Sequence, residues 1–310
     1  MRTLICGSFA YDNIMVFEDR FHNHILPDKI HILNVSFLVP EMRREFGGCA
    51  GNIAYGLKLL GDDPLPMGTV GEDFSPYADW MDTCGIDRSH VTIVDSTLTG
   101  QAFVTTDLDD NQITAFHPGA MSFSHNNQVS DAQDVSVGIV SPDGRDGMLA
   151  HARQFSEAGI PFVFDPGQGL PMFSADELRA FIEQATWLTV NDYEWQVIAE
   201  RTGLTIEEAS ETLKAVIVTR GKEGSVIYAE GERIDIPAVM AEETKDPTGC
   251  GDAYRSGLLY GLARRLDWET TGRIASLMGA IKIAAHGTQN HSFTGEEFRE
   301  RFREEFGSEF

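Results

Sequence analysis

The chain has 310 residues, 42% hydrophobic and 23% charged, the proportions of an ordinary globular enzyme and enough for one large α/β domain. Asp and Glu number 48 against 24 Lys and Arg, a formal net charge of −24, which argues against nucleic acid and anionic membranes as partners. Cys6, Cys49, Cys84 and Cys250 are scattered, with no CxxC pair and no nearby His to build a zinc site, so a reducing cytoplasm is the expected location.

In chain order, residues 3–7 read as a strand that starts almost at once rather than as a signal peptide. No apolar run approaches the ~18–20 residues that span a bilayer. Apolar runs at 4–6, 137–140, 161–164, 187–190 and 215–219 read as buried strands of a parallel sheet. Helical patterns lie between or beside them at 50–60, 148–158, 175–184, 193–202, 206–213 and 252–265, with Thr205 and Glu208 placed to cap the fifth. This alternation predicts one doubly wound α/β domain over residues 1–310, a mostly parallel sheet with helices on both faces. Two segments, 12–46 and 96–117, carry β-type patterns instead. Phe103–Thr106 and Gln112–Phe116 suggest a hairpin around Asp109, Asp110 and Asn111. Together the two segments predict a small, discontinuous β lid over a pocket. Residues 296–305 read as a charged amphipathic helix with a solvated face.

The most informative stretch is 246–259, Asp-Pro-Thr-Gly-Cys-Gly-Asp-Ala-Tyr-Arg-Ser-Gly-Leu-Leu. The first amides of a helix lack intrahelical partners and carry the positive end of its dipole. Gly249 and Gly251 keep side chains away from those amides, so a phosphate can approach. A carboxylate at Asp252 would repel a bound phosphate, but it can take a proton from a hydroxyl that attacks one. This is the layout of a small-molecule kinase, with the amides of Gly249, Cys250 and Gly251 stabilising the transferred group. A second glycine-rich stretch, Phe46-Gly47-Gly48-Cys49-Ala50-Gly51-Asn52, enters a helix; Asn52 can donate to and accept from hydroxyls. Taken alone, Gly-Gly before a helix is usually just a tight turn; the cradle at 249–252 supplies the other half of a site. Cys250, at a helix N-terminus, is either a thiol of lowered pKa or simply a small residue in a tight cradle.

Gly47, Gly48, Asn52, Ala54, Gly61 and Gly71, followed by 246–259, resemble the two signatures of the PfkB/ribokinase-like carbohydrate kinases, in the right order and over nearly the whole chain. Cys250 departs from the pattern, standing where Ala, Gly or Ser is usual. The resemblance implies that Asp12 accepts hydrogen bonds from two sugar hydroxyls, with Ser8, Gly47, Gly48 and Asn52 beside it. It implies nucleotide contacts from Asn191, Thr219, Gly221, Gly224, Gly287 and Gln289, and a Mg²⁺ placed by Glu194 through water. From the residues alone, Asp12 could cap a turn and Asn191 the helix that follows it.

Gly287-Thr288-Gln289, Ser36-Phe37-Leu38-Val39, Phe103, Phe116 and Asp165-Pro166-Gly167-Gln168 look like the bacterial adenosine kinases of this superfamily. In that likeness Ser36, Phe103, Phe116 and Gln168 would meet the nucleoside, although Phe103 and Phe116 could instead be core. Gly169 departs, standing where a further glutamine can occur. The implied reaction is ATP-dependent phosphorylation of the adenosine 5′-hydroxyl, giving AMP and ADP. A sugar kinase of the ribokinase type, a kinase for another nucleoside and a nucleoside-binding sensor are the alternatives. A homodimer through the lid and a monovalent-cation requirement are left open by the residues.

Overall fold

The computed structural model describes residues 2–25, 32, 34–109, 111–241 and 243–310. Residues 26–31 and 33 of the expected first lid segment, and Asp110 of the expected turn, lie outside the described residues. After β1 (Arg2–Cys6) the chain leaves the main sheet for β2 (Ala10–Val16) and β3 (Glu41–Gly47). It returns through α1 (Cys49–Leu59), β4 (Pro64–Val70), α2 (Ser75–Cys84) and β5 (His90–Ile93). The hairpin β6 (Gly100–Thr106) and β7 (Gln112–His117) then joins β2 and β3 in a separate four-stranded sheet ordered β3-β2-β6-β7.

From β8 (Val135–Val140) strands and helices alternate: α3 (Arg145–Glu157), β9 (Phe162–Phe164), α4 (Ala175–Gln184), β10 (Trp187–Asn191), α5 (Asp192–Thr202), α6 (Ile206–Thr212) and β11 (Ala215–Thr219). The hairpin β12 (Ser225–Ala229) and β13 (Glu232–Ile236) precedes α7 (Cys250–Arg264), α8 (Trp268–Ile283) and α9 (Gly295–Phe306). The main sheet runs β13-β12-β11-β10-β9-β8-β1-β4-β5, and its pairs are parallel except β11-β12 and β12-β13.

Period-two alternation explains how each central strand is buried on both faces. Ile5, Val163, Ala215 and Ile217 join one core layer with α1, α7 and α8, while Leu4, Cys6, Phe162, Phe164, Val216 and Val218 join the other with α3 and α4. Capping boxes start four helices, pairing Ser174 with Glu177, Asn191 with Glu194, Thr205 with Glu208 and Thr294 with Glu297.

The segments that form α2, β4, β5, β12, β13 and α8 are not among the expected elements, and α9 differs in its burial. β4 contains Pro64, Pro66 and Gly68, a composition that reads as a turn. α8 was not expected because it meets α7 through small residues; a Cβ added at Gly257 would sit 2.8 Å from the Ala275 nitrogen. α9 is not merely a solvated face, since Phe298 and Phe302 are buried against α8 and pack near Phe293, Phe306 and Phe310. Among the described residues no helix is long and apolar enough to cross a membrane.

Candidate active site

The turn 246–249 leads into α7 with Gly249 as N-cap, at φ 78° in the left-handed region. The Cys250 amide donates to Pro247 O at 3.2 Å, so it is spent on the turn. The amides of Gly249, Gly251 and Asp252 find no acceptor among the described residues. The open cradle is therefore made by a slightly different set from the one expected, with Asp252 in place of Cys250. Burial pushes the Cys250 thiol up to about 11, which fits a small filling residue rather than an activated thiol.

Asp252 lies on the first turn of α7 and faces α1. Asn52 Nδ2 donates to Asp252 Oδ2 at 2.8 Å. Gln289 Nε2 donates to Asn52 Oδ1 at 3.0 Å and to the Tyr77 hydroxyl at 2.6 Å, and Trp80 Nε1 donates to Gln289 Oε1 at 2.9 Å. This chain of bonds fixes the Asn52 amide with its nitrogen toward Asp252. Gln289, expected at the nucleotide, is buried on the acceptor side and serves to orient Asn52. Burial pushes the Asp252 carboxyl up to about 6 and Asp165 pushes the same way, against donation from Asn52, the Arg255 charge and the Cys49 thiol. Asp12 also rises to about 6, through burial and then the charges of Asp252, Asp246 and Glu45.

A carboxyl that titrates there is charged above that pH and neutral below it, and a base must be charged to accept a proton. Hence kcat/KM is expected to fall as pH drops through about 6, approaching about tenfold per unit. A flat profile from neutrality to well below that point would remove Asp252 as the base.

The small sheet stands over this pair. Directly opposed residues share a face, so the registers Asp12↔Glu45, Asp12↔Ala102 and Ala102↔Phe116 put Asp12, Glu45 and Phe116 on one face. That face turns toward α7: Glu45 accepts from Asn290 Nδ2 at 2.9 Å, and Arg43 lies 3.9 Å from Asp246. Phe116 sits two strands from Asp12 in the same row, about 10 Å away at the usual interstrand spacing. Phe103 pairs with Asn13 and Ala115 and so points from the opposite face. The two rings therefore stand on opposite faces of the sheet, and only Phe116 shares the face of Asp12. Both are partly exposed, 41% and 49%, so neither is core.

Gly47 and Gly48 let this sheet approach. A Cβ at Gly47 would overlap the Asp12 carboxylate, and one at Gly48 would lie 2.6 Å from Phe9 Cα. Ser8 is buried, with its hydroxyl accepting the Cys49 amide at 3.2 Å, so its first task is to cap α1. Ser36 and Gln168 are exposed and make no hydrogen bond among the described residues. A surface cavity of about 620 Å³ lined by Glu72, Leu98, His117 and Phe123 contains none of these residues.

The pfkB family carbohydrate kinase model matches residues 13–294. The chain belongs to this family. The Methanocaldococcus jannaschii nucleoside kinase is 32% identical over 270 residues, covering 86% of this chain and 89% of that protein. Its solved structure, described as an archaeal member of the ribokinase family, matches with a TM-score of 0.89 over 98% of this chain and 99% of that one. The Burkholderia thailandensis nucleoside kinase in complex with inosine gives a TM-score of 0.91 at 53% identity over 99% of each chain. The same kinase in complex with ADP-inosine gives 0.88 at 55% identity, over 99% of this chain and 97% of that one. The α/β fold with its mostly parallel sheet is accordingly ribokinase-like.

On the other side of the pfkB cradle, the carboxyl ends of β10 and β11 carry the remaining expected residues. Asn191 caps α5, accepting from the Glu194 amide at 2.7 Å, and Glu194 Oε2 accepts the Asn191 amide at 2.7 Å. Thr219 ends β11, with Gly221 and Gly224 at φ 53° and 83° in the following turn. A Cβ at Gly221 would meet nothing within 4 Å, so the turn opens to solvent. Gly287 donates to Asp246 Oδ2 at 2.9 Å and stands beside the cradle rather than with Thr219. Among the described residues no cluster of three or more His, Cys, Asp or Glu could hold a metal alone. That donor set still fits a Mg²⁺ that keeps most of its waters and leans on phosphate oxygens, with Glu194 Oε1 free to accept from one such water.

Sequence reasoning missed the ion pair beneath the cradle. Arg255 Nε and Nη2 donate to Asp165 Oδ2 and Oδ1 at 2.9 and 3.0 Å, both residues being buried, and Nη1 donates to Gly251 O at 3.4 Å. The pair ties the end of β9 to the first turn of α7. Only the helical spacing from Gly251 to Arg255 hinted at it.

Proposed function

We propose that the protein transfers the γ-phosphoryl group of ATP to the 5′-hydroxyl of a purine nucleoside, converting adenosine to AMP. Support comes chiefly from one observation: Asn52 holds the Asp252 carboxylate in the first turn of α7, beside amides that find no acceptor among the described residues and near enough to Asp12 for the two charges to interact. Asp12 accepts from the ribose hydroxyls, and the base extends along its row toward Phe116. Asp252 takes the 5′-hydroxyl proton as that oxygen attacks phosphorus. The amides of Gly249, Gly251 and Asp252 receive the charge of the transferred group. Thr219, Gly221 and Gly224 border the nucleotide, and Mg²⁺ near Glu194 would neutralise phosphate charge. The small sheet acts as a lid of one domain, excluding water from the transfer. Inosine is the second reading for the acceptor, because the Burkholderia relative binds it.

The test is a pair of substitutions on opposite faces of the lid. Base–aromatic stacking is worth about 1–3 kcal/mol, so Phe116→Ala is expected to raise the KM for adenosine about tenfold to hundredfold with the KM for ATP unchanged. Phe103→Ala is expected to leave both unchanged. Equal effects of the two variants, or none, would defeat the assignment. Phe103, Met42 and Ile113 are exposed together on the outward face, which is where a homodimer through the lid would seal. Light scattering on Phe103→Asp checks that separately.

A further inference from the structure

Lys282 is a buried charge that this reaction leaves unused. It lies in the last turn of α8 and is 0% exposed. Its ammonium donates to the carbonyl oxygens of Asp246 at 2.7 Å and Ala285 at 3.3 Å. Among the described residues it forms no ion pair within 4.0 Å; the Asp246 carboxylate is instead bound by the Thr248 and Gly287 amides. A buried cation without a carboxylate at contact is costly, so its placement calls for a reason.

The two carbonyls belong to the two loops that frame the cradle. Residues 245–249 lead into α7, and residues 284–288 follow α8. Backbone bonds also clip the first loop to the end of α8, from the Lys245 and Asp246 amides to Ile283 O at 2.9 and 3.2 Å. The groups facing the ammonium are Asp246 on the first loop, Cys250 and Asp252 in the first turn of α7, and His291 beyond the second loop. Burial pulls the Lys282 amine down, while Cys250, Asp246 and Asp252 favour its charged form.

Backbone carbonyl oxygens are also the donors that proteins use to strip and hold monovalent cations. Here two of them already receive an ammonium, a cation on a tether with three donors of its own. We infer that Lys282 is the built-in cation of the phosphoryl-transfer site, binding the two framing loops through their carbonyl oxygens and leaving no need for a bound monovalent ion. It is a positioning residue: it shapes the loop that presents the amides of Gly249, Gly251 and Asp252 and touches no substrate. The inference rests on the kinase reading and answers the cation question that the residues alone leave open.

The experiment compares the unmodified enzyme with Lys282→Met in potassium, sodium and tetramethylammonium chloride at equal ionic strength. Turnover is followed as nucleoside-dependent ADP release and stability by thermal melting. The unmodified enzyme is expected to give the same kcat and melting temperature in all three salts. Lys282→Met is expected to lose at least about tenfold in kcat with little change in the nucleoside KM. Potassium, but not tetramethylammonium, is expected to restore part of that loss and to raise the variant's melting temperature.

Strong activation or stabilisation of the unmodified enzyme by potassium overturns the inference, as does a folded Met variant that keeps half its turnover. Should the Met variant not fold, the salt profile of the unmodified enzyme decides. Absence of any nucleoside-dependent ADP release refutes the kinase reading, and the melting comparison still tests Lys282.

Discussion

Replacing Asp252 by Asn is expected to lower kcat by about 10²–10⁴-fold, the usual worth of a placed base, with little change in either KM. Asparagine keeps the shape and an oxygen for the Asn52 amide to reach, 2.8 Å away in the parent protein. What it loses is the capacity to accept a proton, which matters only as the hydroxyl attacks. Stability should move the other way. A carboxyl raised to about 6 by burial stays charged at neutral pH at a cost to folding, and a neutral isostere removes that cost. The variant is expected to melt no lower than its parent. Steady-state kinetics and a melting curve check both halves; a variant retaining more than about a tenth of the turnover would exclude a base role.

Gly251→Val is expected to abolish most ATP-dependent turnover, by at least about 10²–10³-fold, while calorimetry still shows nucleoside binding. Gly251 adopts an ordinary helical φ, and a Cβ there would lie 3.2 Å from Arg255 Nη1, tight by only a few tenths of an ångström. The backbone can therefore accept the change, and the added methyls lie across the free amides where phosphate would sit. Gly249 is a poorer test, since its φ of 78° and a Cβ contact of 3.0 Å with Thr288 would strain the turn itself. Loss of nucleoside binding together with turnover would point to general damage and count against the cradle.

The parallel core was legible in the residues because strands buried on both faces are continuous apolar runs; β11 has its expected bounds and β10 is longer by only Asn191. The cradle was legible because two glycines around one small residue before a helix have few other uses. Other positions gave residue type without partner. Gln289 and Ser8 are polar groups that could serve a ligand or the fold, and only the packing around Tyr77, Trp80 and α1 decides it. Phe103 and Phe116 look alike in a hairpin, yet the register of a sheet sets which face each presents, and register is a tertiary property. Arg255 and Lys282 sat unnoticed because a helical pattern admits a basic residue anywhere on a solvated face, and these two are buried.

Among the described residues, the bonds from Thr288 Oγ1 to Phe46 O and from Asn290 Nδ2 to Glu45 Oε2, with the Arg43–Asp246 ion pair, join the small sheet to the frame of the cradle. The segment that carries Thr288 and Asn290 also carries Gly287, whose amide donates to the Asp246 carboxylate. On the proposed reading, a nucleoside that draws Asp12 and its strands inward would also act on the turn at which phosphate is received. The two substrates would then share a single coupling free energy, and thermodynamic reciprocity would set its size equally from either side. Whatever factor the nucleoside adds to ATP affinity, ATP must add to nucleoside affinity.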